Sequence, residues 1–199
     1  LVQEVVPQNH ANDEVCIVVL SGTVTVKSDG ETWREIGGRS SVFEQRAPYA
    51  VYLPRGNAAT ILAHTPSEIG VASAPGKGRL PARLIEPGSM KRFARGEGLN
   101  ERFVCDILPQ TEPAAHLLLV EVVTPAGHSS SYPPHKHDTD NLPVESSLEE
   151  TYYHRLKPAQ GFAFQPVHTH ARSIHEARRG QGPAVGVGQP GAPPGVASR

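Results

Sequence analysis

The feature that most constrains this chain is a recurrence of short apolar and β-branched runs, each closed by turn-forming residues. Val15–Leu20, Thr23–Lys27, Ala50–Leu53, Thr60–Ala63, Ile69–Ala72, Leu117–Thr124, Glu150–His154 and Phe162–Val167 all follow this pattern. Helical periodicity is scarce. Runs of this length with this composition pair into sandwiches or barrels, so the expected fold class is all-β. Ser21-Gly22 reads as a tight turn folding the first two runs into a hairpin, and Ser28-Asp29-Gly30 as the next turn. Pro75-Gly76-Lys77-Gly78 breaks the series. Arg79–Arg102 is charged and irregular, and Leu117–Thr124 opens a second series.

The order of runs divides the chain into a first β unit over 1–78, a connection with its strands over 79–116 and a second β unit over 117–177. A tail over 178–199 follows. That tail is rich in glycine, proline and alanine and has no aromatic residue. Such a segment buries too little to offset its ordering entropy, and it is expected to be flexible or irregular.

A length of 199 residues is enough for two small cores. The formal net charge of −1 argues against a nucleic-acid or polyanion binder. No apolar stretch approaches the roughly 20 residues that span a bilayer. No basic segment followed by an apolar run opens the chain, so a cytoplasmic location is expected. Cys16 and Cys105 sit in apolar runs, which suits reduced, buried thiols.

The chemistry concentrates between Ser129 and Phe164. His135 and His137 are two apart, so on a strand both imidazoles point to one face and reach one metal ion. Glu149 and Glu150 follow on the next strand-like run. Two histidines and one carboxylate with an open position suit a catalytic divalent metal. A His-x-His alone is a weak signal; the carboxylates and the strand setting strengthen it.

His-x-His followed by a glutamate on a later strand is a cupin pattern. The string SYPPHKHD (Ser131–Asp138), with LEETYYHR (Leu148–Arg155) and GFAFQ (Gly161–Gln165), resembles the 5-deoxy-glucuronate isomerase family. Further matches are Arg95-Gly96-Glu97-Gly98 with Arg102, Glu121–Gly127, Leu20-Ser21-Gly22, Gly37-Gly38-Arg39 with Ser41-Val42-Phe43, and Pro48–Pro54. Together they run from about Asp13 to Gln165. The resemblance implies two cupin units, a bicupin, and a metal held by His135, His137 and one glutamate. Glu150 is preferred to Glu149 because a related uronate isomerase family places an aromatic two positions after its ligand, and here that aromatic is Tyr152. The metal expected is zinc, manganese or iron.

By the same resemblance the first unit has lost its metal. Val15 stands where a glutamate is expected, Ala59 where the distal histidine is expected, and His10 alone remains near the position of the histidine pair. The family's N-terminal strands before Asp13 are incomplete. After GFAFQ the chain departs from the family's final strand and its last histidine. His168 and His170 are either substitutes for that ligand or surface residues.

The implied reaction converts 5-deoxy-glucuronate to its ketose isomer in myo-inositol catabolism, moving a proton between adjacent carbons. Glu149, Tyr153 and His154 are the candidates for the general base. Arg155 or Lys136 would take the substrate carboxylate. The implied partner is a small-molecule sugar acid, with assembly as a homo-oligomer. A metal- or ligand-binding cupin without catalysis, or an inactive remnant, is the alternative.

Overall fold

The computed structural model describes residues 4–5, 12–130, 139–168, 175–180, 184–187 and 197–198. Among them the regular structure is strand, and helix is confined to three single 3-10 turns at Val42–Glu44, Pro87–Ser89 and Gly98–Asn100. The strands are β1 (Glu4–Val5), β2 (Asp13–Ser28), β3 (Glu31–Arg39), β4 (Ala50–Leu53), β5 (Thr60–Ala63), β6 (Glu68–Pro75), β7 (Arg83–Ile85), β8 (Arg92–Arg95), β9 (Arg102–Leu108), β10 (Leu119–Val123), β11 (Thr151–His154), β12 (Ala163–His168), β13 (His175–Gly180), β14 (Ala184–Val187) and β15 (Ala197–Ser198). The protein is all-β, with the curled, strongly bent sheets of the cupin type.

The long strand β2 organises the first half of the chain. Its N-terminal part pairs antiparallel with β4 and β6, and its C-terminal part pairs with β3 and β5. The change of partner falls at Ser21-Gly22. The expected hairpin turn at these two residues is therefore replaced by a bend within one strand. The physical reason is visible at Gly22, which has φ +85° and lies where an added Cβ would fall on Ser67 Oγ and the Pro66 carbonyl. Only glycine allows that backbone and that close approach. Register shifts flank the bend, so the strand leaves one sheet and enters the other. The true hairpin comes one turn later: Asp29 (φ 36°) and Gly30 (φ 89°) join β2 to β3, as Asp-Gly leads one to expect of a type I′ turn.

Residues Leu1–Phe93 with Val104–Glu121 form one compact unit, and Ala94–Phe103 with Val122–Arg199 form another. In the first, β2 is buried on both faces. Val15, Ile17, Val19, Val24 and Val26 join Ile36, Val51, Leu53, Ala59 and Ile61 in one apolar cluster. Cys16 and Val18, alternating with them, join Tyr52, Ile85, Met90, Cys105, Ile107, Leu108 and Leu117 in a second. Arg83–Ile85, within the segment read as a connection, adds an edge strand beside β4. Cys16 and Cys105 are free and buried, as their apolar settings suggest.

Two buried polar clamps hold this unit. Glu14 is fully buried and accepts from Tyr52 Oη (2.6 Å) and from the backbone N–H groups of Ala115, His116 and Leu117 (2.7, 2.6 and 2.6 Å). Arg39 is 3% exposed; it donates from both Nη atoms to Glu121 (2.9 and 2.6 Å), from Nε to the Leu20 carbonyl and from Nη1 to the Arg46 carbonyl.

In the second unit β11 pairs with β14, and β12 pairs with β13 and β15, all antiparallel. The stretch 178–199 thus supplies paired backbone in β13, β14 and β15, and its remaining residues lie outside the described ones. Asp140–Leu148 is a largely exposed loop, as its polar composition suggests. No helix among the described residues is long and apolar enough to cross a membrane.

Candidate functional site

Strand alternation sorts the LEETYYHR segment into two faces. Glu150, Tyr152 and His154 are half-buried, whereas Glu149, Thr151, Tyr153 and Arg155 are exposed. A period of two does this without further instruction, because successive side chains of a strand leave opposite faces. On β12 the same alternation buries Ala163 and Gln165 and exposes Phe164. His135, Lys136 and His137 lie outside the described residues. So do His10 and His170, and the side chain of His168 is not described.

The half-buried residues form a row. The Tyr152 hydroxyl lies near the Glu150 carboxylate. Burial and that neighbouring carboxylate push the Tyr152 phenol well above its ordinary value, so it stays protonated at any working pH. The rings of Tyr152 and His154 stack, with centroids 5.7 Å apart and planes 6° from parallel. The Gln165 side chain lies near His154. Burial lowers the His154 pKa, and the neighbouring Gln165 opposes that only in part, so the site favours the neutral imidazole.

Glu150 is a half-buried carboxylate with a tyrosine hydroxyl near it, the kind of outer neighbour that orients a ligating carboxylate. The donor set His135, His137 and Glu150 has the chemistry of a divalent-metal site. Among the described residues no group of three His, Cys, Asp or Glu side chains gathers for a metal. The two histidines of the set lie outside the described residues.

In the first unit, Val15 and Ala59 both lie in the filled apolar cluster, so the positions expected to have lost ligands are core positions. Sequence reasoning singled out neither Glu14 nor Gln165. For Gln165 the signal was present: a glutamine in the register of Ala163, on the face that should be apolar. For Glu14 the signal was a carboxylate next to a continuous apolar run.

The chain matches the KduI/IolB family model over residues 2–189. It is 51% identical over 165 residues to the 5-deoxy-glucuronate isomerase of Geobacillus kaustophilus, covering 83% of this chain and 60% of that protein. The corresponding protein of Bacillus subtilis strain 168 is 47% identical over 164 residues, covering 82% and 60%. The chain thus spans about three-fifths of the length of these curated relatives. Among solved structures, an IolB-like protein from Salmonella typhimurium LT2 superposes with a TM-score of 0.94 at 42% identity, covering 98% of this chain and 74% of that one. A putative glyoxylate-induced protein from Pseudomonas aeruginosa superposes with a TM-score of 0.60 at 9% identity, over 96% of this chain and 62% of that one, a likeness of fold alone. With an all-β fold, the SYPPHKHD and LEETYYHR strings and a family match over nearly the whole chain, this protein belongs to the KduI/IolB family.

Proposed function

We propose that this chain carries the isomerase site of a 5-deoxy-glucuronate isomerase and interconverts an aldose-type and a ketose-type sugar acid in inositol catabolism. The observation that supports it most is the half-buried row Glu150–Tyr152–His154, completed by Gln165, in a chain about half identical to proteins of that name. His135, His137 and Glu150 would hold a divalent metal, zinc, manganese or iron. When bound, such an ion supplies Lewis acidity that polarises the carbonyl and hydroxyl oxygens of the substrate.

The remaining chemistry falls to the chain's own side chains. Of the three base candidates, Glu149, just before β11, and Tyr153, on it, are exposed, and His154 lies on the half-buried face beside Tyr152. Burial lowers the His154 pKa and so favours the neutral imidazole, which offers a ring-nitrogen lone pair. We assign it the removal of the proton from one carbon and its return to the adjacent carbon. Tyr152 holds Glu150 in place. Lys136, or Arg155 at the exposed end of β11, takes the substrate carboxylate, with arginine the better bidentate partner. A cytoplasmic location and a homo-oligomeric assembly belong to the same proposal.

The test is isomerisation of 5-deoxy-glucuronate by the chain loaded with zinc, manganese or iron, beside His154→Gln, Glu149→Gln and Tyr153→Phe. Loss of about a hundredfold or more in kcat for His154→Gln alone is expected for a general base. Turnover unchanged in His154→Gln and lost in Glu149→Gln would reassign the base. Metal binding with no turnover in the wild type would instead favour a ligand-binding cupin.

A further inference from the structure

Arg95 closes β8 and Arg102 opens β9, and the two strands are neighbours in one sheet, so the turn between them starts and ends on an arginine. The turn is built to hold Arg102. Its Nη1 donates to the Asn100 carbonyl (3.1 Å), and a Cβ on Gly96, at φ +83°, would fall 2.8 Å from that same Nη1 and against the Asn100 carbonyl. Only glycine leaves room for the guanidinium there. Arg102 is partly buried, yet among the described residues one of its five N–H donors is spent on a protein group. Among the described residues no carboxylate forms an ion pair with Arg95 or Arg102, although Glu97 and Glu101 stand in the same turn. The turn is also fixed to the segment that leads to the histidine pair. The Ser129 N–H donates to the Leu99 carbonyl (2.8 Å), and His128 Nδ1 donates to the Glu101 carbonyl (2.9 Å). Ser131, where SYPPHKHD begins, is two residues further on.

We infer that Arg102, with Arg95 beside it, binds the carboxylate of a sugar-acid ligand, its unspent N–H fork donating to both carboxylate oxygens. The inference rests on the isomerase reading for the identity of the ligand, and on the geometry of the turn for the anion site. A guanidinium fork matches a carboxylate with two parallel hydrogen bonds, and a berth that fixes the fork in advance lowers the cost of making them. Burial and the like charge of Arg95 both hold the Arg102 pKa below its ordinary value, so an incoming anion relieves a cation that its surroundings disfavour. Arg95 is exposed and makes no hydrogen bond to the protein among the described residues, so it adds charge rather than fixed geometry. Arg102 takes the carboxylate beside or instead of Lys136 or Arg155.

The probes are D-glucuronate, its neutral amide D-glucuronamide and inorganic phosphate, each titrated calorimetrically into the full chain. Arg102→Gln removes the charge and the fork; Arg102→Lys keeps the charge and loses the fork. Arg102→Gln should bind D-glucuronate about ten- to a hundredfold more weakly, the scale of hydrogen bonds to a charged partner. Arg102→Lys should recover part of that loss, and the affinity for the amide should be the same in all three chains. D-glucuronate bound equally well by Arg102→Gln would overturn the inference. So would an equal loss of affinity for the amide, which would mark a structural role. Phosphate bound through Arg102 by a wild type that binds no uronate would overturn the sugar acid as ligand, and a wild type that binds neither would overturn the site. Turnover of 5-deoxy-glucuronate with an unchanged KM in Arg102→Gln would refute the inference and leave the isomerase reading standing. D-glucuronate bound through Arg102 by a wild type without turnover would support the inference and count against that reading.

Discussion

Glu14→Gln is the sharpest test of what holds the first unit together. The Glu14 carboxylate is fully buried and receives four donors: Oε1 takes the N–H groups of His116 and Leu117, and Oε2 takes that of Ala115 and the Tyr52 hydroxyl. The Arg83 guanidinium lies 4.4 Å above the Tyr52 ring, which keeps a positive charge close by. A glutamine has nearly the same shape but offers only one acceptor oxygen. If its oxygen faces His116 and Leu117, its NH2 meets the Ala115 N–H, donor against donor, while Tyr52 turns to accept. One buried N–H left unmatched costs about 1–3 kcal/mol, and the two surviving bonds lose their charge assistance at about 0.5–1.5 kcal/mol each. The expected loss is about 3–4 kcal/mol, or roughly 6–16 °C in Tm for a chain of this size. Urea unfolding with calorimetry measures it, and amide exchange at Ala115, His116 and Leu117 should quicken with it. The pH dependence follows from the same bonds. Burial raises the Glu14 pKa, but the Tyr52 and backbone hydrogen bonds outweigh it and the net shift is downward. A depressed folded pKa adds stability above the ordinary carboxylate value, and that stability is lost as pH falls through the folded value. The wild type should lose its margin over Glu14→Gln in acid. A variant within about 0.5 kcal/mol of the wild type at neutral pH, the range of an ordinary surface substitution, would refute the reasoning.

Arg39→Met should cost about 2–4 kcal/mol by leaving the Glu121 carboxylate without its bidentate partner, and Glu121→Leu in the same chain should recover much of that loss in a double-mutant cycle read by urea unfolding. Gly22→Ala should destabilise by about 2–3 kcal/mol or more, because the residue sits at φ +85° and the added carbon meets Ser67 and the Pro66 carbonyl; a thermal melt matching the wild type would show that the bend tolerates a side chain. His135→Ala should abolish bound metal as read by elemental analysis, since a site with so few ligands is left under-coordinated, and unchanged occupancy would move the site elsewhere.

Much of this protein was legible along the chain because strands announce themselves locally. Ala50–Leu53 and Thr60–Ala63 are strands with the boundaries their apolar runs suggest, and Asp29-Gly30 turns the chain where that dipeptide should. The two faces of LEETYYHR also follow from a period of two, which sets Glu150 and His154 on one side and Glu149 and Tyr153 on the other; the preference for Glu150 came from the family resemblance, and sequence left the three base candidates open. What local pattern left open was decided by contacts between distant segments. Ser21-Gly22 has the composition of a turn, and it becomes a bend only because residues 66–67 approach it from more than forty positions away. Glu14 beside an apolar run reads as a solvated charge until the segment 115–117, a hundred residues on, brings three N–H groups to it. Gln165 is a buried amide on β12, and its neighbour His154 comes from β11 in a different sheet. Side-chain periodicity is set by the two backbone dihedrals of each residue and its neighbours, so sequence alone carries it. A buried polar group finds its partners only after the chain has closed, so only the tertiary structure decides which one it meets.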